Sequence, residues 1–128
     1  MRKLDLNSEK PIFVQIAEGL EDAVLSGALP EGGQLPSITE LSVQYTITPA
    51  TALKGSNLLV DQGAAYKKRG VGMFVAEGAR ALLQKKRQGD FSTRFVAAMV
   101  AEAKRLGVPR QELLDMVALE FDSAEKGR

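Results

Sequence analysis

The chain has 128 residues, of which 45% are hydrophobic, and its formal net charge at pH 7 is only +1. It contains neither cysteine nor histidine, which excludes disulfides and thiolate metal sites and removes the most common metal ligand and general base. We therefore expect no metal, no cofactor and no enzymatic activity. No apolar run approaches the roughly 18 residues of a membrane span and the N-terminus lacks a signal-peptide core, so we expect a soluble cytoplasmic protein that does not bind membranes.

The first element with clear ends is a short helix that starts at about Ile38. Residues 37–40 read Ser-Ile-Thr-Glu, a capping box in which the Ser37 hydroxyl and the Glu40 carboxylate each accept from the other residue's backbone N–H. Leu41 and Tyr45 lie four residues apart and form the apolar stripe of this helix. The helix is short because a proline follows four residues later.

A second helix is predicted from Pro49 to about Gln62. Proline restricts the residue before it to extended geometry, so Thr48 is the N-cap and Pro49 the first helical residue. Gly63 marks the end, since glycine best adopts the left-handed conformation that closes a helix. The residues predicted to face the core are Ala52, Leu58 and Leu59. Ala50, Thr51 and Lys54 lie on the first two turns of this helix.

After this helix the hydrophobic period changes from about 3.6 to 2 residues, which predicts a β-hairpin. Residues 65–68 and 73–76 form its strands, and Arg69-Gly70-Val71-Gly72 joins them, with glycines that supply positive φ and leave room for close backbone approach. Three cations lie at the entrance of this hairpin: Lys67, Lys68 and Arg69. A short helix, a turn, a second helix and a basic hairpin are typical of a winged helix-turn-helix DNA-binding domain.

The C-terminal part is predicted to be helical and to form a dimer. Residues 78–88 read as a basic helical connector that Gly89-Asp90 interrupts, and a long helix then runs until Gly107-Val108-Pro109. The last helix starts at about Arg110. Such a helical hairpin is too small to bury its apolar surface alone, which argues for packing against a second copy. The predicted dimerisation residues are Phe91, Phe95, Met99, Leu106, Leu113, Val117 and Phe121. The fold expected is mainly α with a small β wing, divided into a DNA-binding domain (1–77) and a helical dimerisation region (78–128).

The segment from Pro11 to Val75 resembles the N-terminal domain of the GntR family of bacterial transcription regulators. The motifs that carry the resemblance, in chain order, are Pro11-Ile12-Phe13-Val14-Gln15-Ile16, Leu25-Ser26-Gly27-Ala28-Leu29, Gln34-Leu35-Pro36-Ser37, Glu40-Leu41, Pro49-Ala50-Thr51 and Arg69-Gly70-Val71-Gly72-Met73-Phe74-Val75. The short helical remainder is similar to that of the YtrA-like subfamily.

The resemblance implies that the helix beginning at Pro49 reads the major groove, that the two helix starts contact the DNA backbone, and that the wing contacts flanking DNA. The DNA-binding residues it implies are Ser37, Thr39, Thr48, Ala50, Thr51, Lys54, Lys67, Lys68, Arg69 and Gly70. Three positions depart from the family pattern. Thr39 replaces a usual arginine, Thr46 takes a turn position often held by glycine, and Leu53 stands where longer relatives often carry a DNA-contacting arginine.

The charge is divided unevenly along the chain. Residues 1–78 contain 7 Lys and Arg against 9 Asp and Glu, a net charge of −2, whereas residues 79–128 contain 10 against 7, a net charge of +3. DNA binding would depend on local clusters of cations, so we expect weak non-specific binding and steep salt sensitivity. Each feature alone also fits a structural role: helix caps occur in all proteins, and basic strand edges prevent aggregation. Only their ordered combination favours DNA binding.

The function expected is a homodimeric transcription regulator, acting as a repressor at a palindromic operator. Its partners are double-stranded DNA, a second copy of the chain and, as an open question, a small-molecule effector. The alternative is a winged-helix module that dimerises or binds a protein and has weakened DNA binding. The net charge of −2 and Thr39 keep this alternative open.

Overall fold

The computed structural model describes residues 3–126 and is mainly α-helical with one two-stranded antiparallel sheet, which confirms the predicted fold class. Its elements are α1 (Ile12–Ser26), α2 (Ile38–Tyr45), α3 (Pro49–Asp61), β1 (Ala65–Lys68), β2 (Gly72–Val75), α4 (Ala79–Phe91), a π-helical turn (Ser92–Val96), α5 (Ala97–Arg105) and α6 (Arg110–Lys126). Two compact units divide the chain between Lys86 and Arg87.

The core of the first unit forms where α1 packs against α3. Gly55 of α3 allows a very close approach, because a Cβ at this position would lie only 2.8 Å from Cγ2 of Ile16 on α1. Leucines from several elements complete the core, and most are excluded from solvent. The largest fully buried hydrophobic residues are Ile16, Leu20, Leu41, Leu59, Leu83, Val24 and Val75.

The ends of α2 and α3 follow the predicted caps. The Ser37 Oγ accepts from the Glu40 N–H at 3.0 Å, and the Ser37 N–H donates to Glu40 Oε1 at 3.1 Å, so the capping box is present. The Thr48 Oγ1 accepts from the Thr51 N–H at 3.2 Å. Both helix starts are therefore fixed by side chains that the sequence identifies, and the predicted helix starts are confirmed.

The turn between α2 and α3 contains an unusual backbone conformation. Thr46 has a φ of 53° and is the only non-glycine residue with positive φ among residues 3–126. Ser42 holds this turn from both sides: its Oγ donates to the Ile47 carbonyl at 2.7 Å, and its own carbonyl accepts from the Ile47 N–H at 3.1 Å. These two bonds fix the turn that sets α3 against α2.

The wing is a short hairpin whose strands pair from Ala65 with Val75 to Lys68 with Gly72. The second strand starts one residue earlier than predicted. At the tip, Gly70 has a φ of 76°, and the Val71 N–H donates to the Lys68 carbonyl at 2.9 Å. The chain before α2 also pairs with this hairpin, because Gln34 forms a bridge with Phe74. The wing is therefore tied to the start of α2 as well as to the end of α3.

The first half of α4 belongs to the first unit. Ala79 and Leu83 are fully buried in its core, so this unit extends beyond residue 77. One turn later, the Lys86 Nζ donates to Glu21 Oε2 at 2.7 Å and to the Gln62 side-chain oxygen at 2.8 Å. Glu21 lies on α1 and is only 1% exposed. This polar network, in which Glu21 is buried and Lys86 is partly exposed, joins α4 to α1 and to the end of α3.

The second unit is helical and leaves most of its apolar residues exposed. Among residues 87–124, only Ala103 is buried. The prediction that Gly89-Asp90 interrupts the helix is wrong, since α4 continues through both residues. A glycine inside a helix costs about 1 kcal/mol relative to alanine, which lowers stability without ending the helix. The predicted stop at Gly107 is confirmed by its φ of 71°.

We find no helix within residues 3–126 that has both the length and the apolar character needed to cross a membrane.

Candidate nucleic-acid interface

A hollow of about 410 Å³ opens between the wing and the starts of α2 and α3. It brings together residues that are far apart in the sequence, and its lining contains both cationic and apolar side chains. Half of the predicted DNA-binding residues line it: Ser37, Lys67, Lys68, Arg69 and Gly70. The others, Thr39, Thr48, Ala50, Thr51 and Lys54, lie outside its lining, on α2 and at the start of α3.

Two of the predicted cations rest against aromatic rings. The Lys54 Nζ lies 4.7 Å from the centre of the Phe13 ring, which comes from α1. The Lys68 Nζ lies 5.2 Å from the centre of the Phe74 ring, and this ring stacks on Tyr66 with centroids 5.7 Å apart. Cation–π contacts of this kind hold an ammonium group in place while leaving it charged. Sequence reasoning missed Phe13 because its contact with Lys54 depends on the packing of α1 against α3, and it missed Phe74 although this residue lies on the strand that pairs with the strand of Lys68.

The first turn of α3 contains a hydroxyl pair. The Thr48 Oγ1 and the Thr51 Oγ1 lie 2.9 Å apart and share a hydrogen bond, and Thr48 also accepts from the Thr51 N–H. Ala50 is exposed beside them. The pair uses one of its two hydroxyl hydrogens, so the start of this helix keeps one O–H donor and free oxygen lone pairs for a partner.

Residues that were not predicted to bind DNA also line the hollow. Leu53 of α3 is 41% exposed, and Val71 at the tip of the wing is exposed as well. Gln34 also lines the hollow and donates from its Nε2 to the Val71 carbonyl at 3.2 Å, which fixes the tip. Gly72 has a φ of 146°, a conformation that favours glycine, and a Cβ there would also displace the Gln34 amide, whose Nε2 would lie 2.7 Å away.

Residues 13–75 match the family described as bacterial regulatory proteins, gntR family. The chain is 32% identical over 109 residues to the helix-turn-helix transcriptional regulator YhcF of Bacillus subtilis, covering 84% of this chain and 88% of that protein. It is also similar to the crystal structure of a GntR-family transcriptional regulator from Bacteroides thetaiotaomicron, with a TM-score of 0.71 and 31% identity over 90% of this chain and 99% of the other. The chain belongs to the GntR family.

The GntR-family chain is thus a DNA-binding transcription regulator, as predicted. It is also 31% identical over 83 residues to the transcriptional repressor YtrA of Bacillus subtilis, covering 65% of this chain and 64% of that protein. The predicted likeness to YtrA-like regulators is confirmed by this relative.

The start of α2 has fewer N–H groups available for the DNA phosphates than the GntR resemblance implies. A helix start has four N–H groups without partners in the helix. Here the groups of Ser37 and Glu40 are already used by the capping box, which leaves those of Ile38 and Thr39 as donors to a phosphate. The Glu40 carboxylate adds a negative charge at the same helix end. Thr39 is exposed and uncharged, so nothing at this position offsets that carboxylate.

Proposed function

We propose that this GntR-family regulator acts as a homodimeric repressor in the cytoplasm and binds a palindromic operator in double-stranded DNA. In this proposal α3 enters the major groove with Ala50, Thr51 and Lys54, and the wing contacts the flanking backbone. The observation that carries the proposal is the hollow between α3 and the wing, whose lining includes Lys67, Lys68 and Arg69. Its position between a helix and a basic hairpin suits one groove edge and the adjacent phosphates.

Exposed apolar side chains in the second unit support the homodimer. Phe91, Phe95, Leu106 and Phe121 are each more than half exposed. Leu113 and Val117 lie between Leu106 and Phe121 in the sequence, and both are half-buried. A second copy of the same unit is the simplest partner, because a two-fold axis pairs identical apolar surfaces. Two copies also supply two recognition helices about one DNA turn apart.

Repression is supported by the similarity to YtrA, which is itself a transcriptional repressor. A dimer that occupies an operator blocks access to the promoter without further chemistry. This mechanism needs only affinity and sequence selectivity, and both follow from contacts that side chains of the first unit make.

In-vitro selection from a random DNA library, followed by fluorescence anisotropy at several salt concentrations, tests the proposal. We expect a palindromic consensus with half-sites separated by about 10 base pairs. The logarithm of the binding constant should fall with the logarithm of salt concentration, with a slope of about −0.9 per neutralised phosphate. Equal and negligible binding to selected and random DNA at low salt would refute the proposal.

A second function is favoured by one observation, the net charge of −2 over residues 1–78. It is that of a winged-helix module that dimerises or binds a protein and has weakened DNA binding. A stable dimer that selects no DNA sequence would support this alternative.

A further inference from the structure

The first two turns of α3, from Pro49 to Gly55, offer few polar groups for reading bases. Thr51 and Lys54 are the only polar side chains in this stretch. The Thr51 hydroxyl is paired with that of Thr48 at 2.9 Å, and the Lys54 Nζ rests 4.7 Å from the Phe13 ring centre. A threonine hydroxyl lacks the two groups in fixed geometry that bidentate base recognition uses, and the Lys54 ammonium, although free to donate, is held beside the Phe13 ring.

Leu53 lies in the same stretch and is a large apolar residue exposed to solvent. It is 41% exposed, whereas Ala52 just before it is fully buried in the core. It lines the hollow that also contains the cationic residues Lys67, Lys68 and Arg69. An apolar side chain beside three cations suits a partner with an apolar group close to phosphates.

From this arrangement we propose that Leu53 reads the 5-methyl group of a thymine in each half-site. This inference rests on the proposed operator binding and names the base that α3 selects. In the major groove, the thymine methyl is the one apolar group among the edges of the four standard bases. Leucine has no hydrogen-bonding group, so contact with this methyl is the form of base recognition available to it. The nearby cations contact the phosphates on either side of the same base.

The test replaces single thymines of the selected operator by deoxyuridine, which removes only the methyl group and keeps every hydrogen-bonding group. We expect one thymine per half-site at which the replacement weakens binding about fourfold. This factor corresponds to about 0.8 kcal/mol for a buried methyl-sized group, at 1.4 kcal/mol per tenfold change. At the other thymines the replacement should leave the dissociation constant unchanged.

Variants at position 53 connect the effect to the leucine. In Leu53→Ala the operator with thymine and the operator with deoxyuridine should bind equally, because the apolar contact is lost from the protein side. Leu53→Gln should change the selected base from thymine towards adenine, which glutamine recognises through two hydrogen bonds. Leu82→Ala is the matched control, since Leu82 is 39% exposed in the same unit but lies on α4. It should retain the fourfold preference for thymine.

The outcomes separate this inference from the function on which it rests. A selected operator that is insensitive to deoxyuridine at every position would overturn the role of Leu53 alone. A thymine preference that persists in Leu53→Ala would do the same. Failure to select any sequence would overturn both the operator binding and this inference.

Discussion

Lys54 is the only cation between Pro49 and Gly55, and its contact with the Phe13 ring keeps its ammonium group near the surface of α3. We expect Lys54→Ala to weaken operator binding by about 1–3 kcal/mol, because the lysine supplies a phosphate or base-edge donor. Anisotropy titration against the selected operator measures this change. Lys10→Ala is the control: Lys10 precedes α1, pairs with Glu18 at 2.8 Å and should leave the affinity unchanged. An unaltered dissociation constant for Lys54→Ala would mean that α3 docks differently.

Thr39 on α2 gives a second test with a single residue. Thr39→Arg adds a cation to an exposed position beside the two N–H groups that the capping box leaves available. We expect tighter DNA binding and a salt slope steeper by about 0.9, the value for one additional neutralised phosphate. Thr39→Gln lengthens the side chain without a charge and should keep the original slope. A slope that does not change with arginine would place α2 away from the DNA backbone.

The turn between α2 and α3 carries backbone strain at Thr46. A β-branched residue in the left-handed region costs roughly 1–2 kcal/mol, and glycine removes this cost while adding some entropy to the unfolded chain. We expect Thr46→Gly to raise the free energy of unfolding by about 1 kcal/mol at most, measured by urea denaturation. Gly63→Ala, at a φ of 81°, should lower it instead. If Thr46→Gly lowered the stability, the turn would depend on its side chain and not on its backbone.

Helix ends and the wing could be predicted from the sequence because they depend on neighbouring residues. Ser37 and Glu40 form their capping box within four residues, and the glycines of the wing need only a local turn. Contacts between distant elements could not be predicted. Lys86 donates a hydrogen bond to Glu21, which lies 65 residues earlier in the chain. Glycine is required at position 55 because Ile16 of α1 lies so close to it. No local sequence pattern predicts either of these two contacts.

The candidate site was predictable to the same extent. Thr48 and the basic wing follow from local motifs, and the family resemblance supplied their expected roles. The hydroxyl pair of Thr48 and Thr51 and the aromatic support of Lys54 required the folded chain. Both alter which groups are available to DNA, so the sequence predicts where the site lies better than how it reads bases.

The π-helical turn explains a spacing in the second unit that an α-helix alone does not. Phe91, Phe95, Met99 and Ala103 lie four residues apart, and in an α-helix each such step drifts by about 40° around the axis. The wider π turn at Ser92–Val96 rotates less per residue and offsets this drift. The rings of Phe91 and Phe95 accordingly approach to 5.6 Å between centroids. The turn thus helps to keep the four residues on one face.

At the scale of the whole molecule, the proposed dimer makes DNA binding depend on residues far from α3. Phe95 is 56% exposed, and Phe95→Asp places a charge in the proposed apolar interface. We expect sedimentation to show monomers, and binding to the full palindrome to fall sharply because the two half-sites no longer bind together. Circular dichroism should remain helical. Leu6→Asp is the control, since Leu6 is 81% exposed in the first unit and should leave the dimer intact. An intact dimer in Phe95→Asp would refute this interface.

The small number of cations in the first unit has a consequence for how the protein finds its operator in a chromosome. Attraction to random DNA comes almost entirely from phosphate neutralisation, and a genome offers about 10⁶–10⁹ competing sites. With 7 basic residues against 9 acidic ones in residues 1–78, we expect the first unit to be only weakly attracted to these competing sites. Sliding along the duplex, which depends on that attraction, should then contribute less to the search for the operator than it does for more basic regulators.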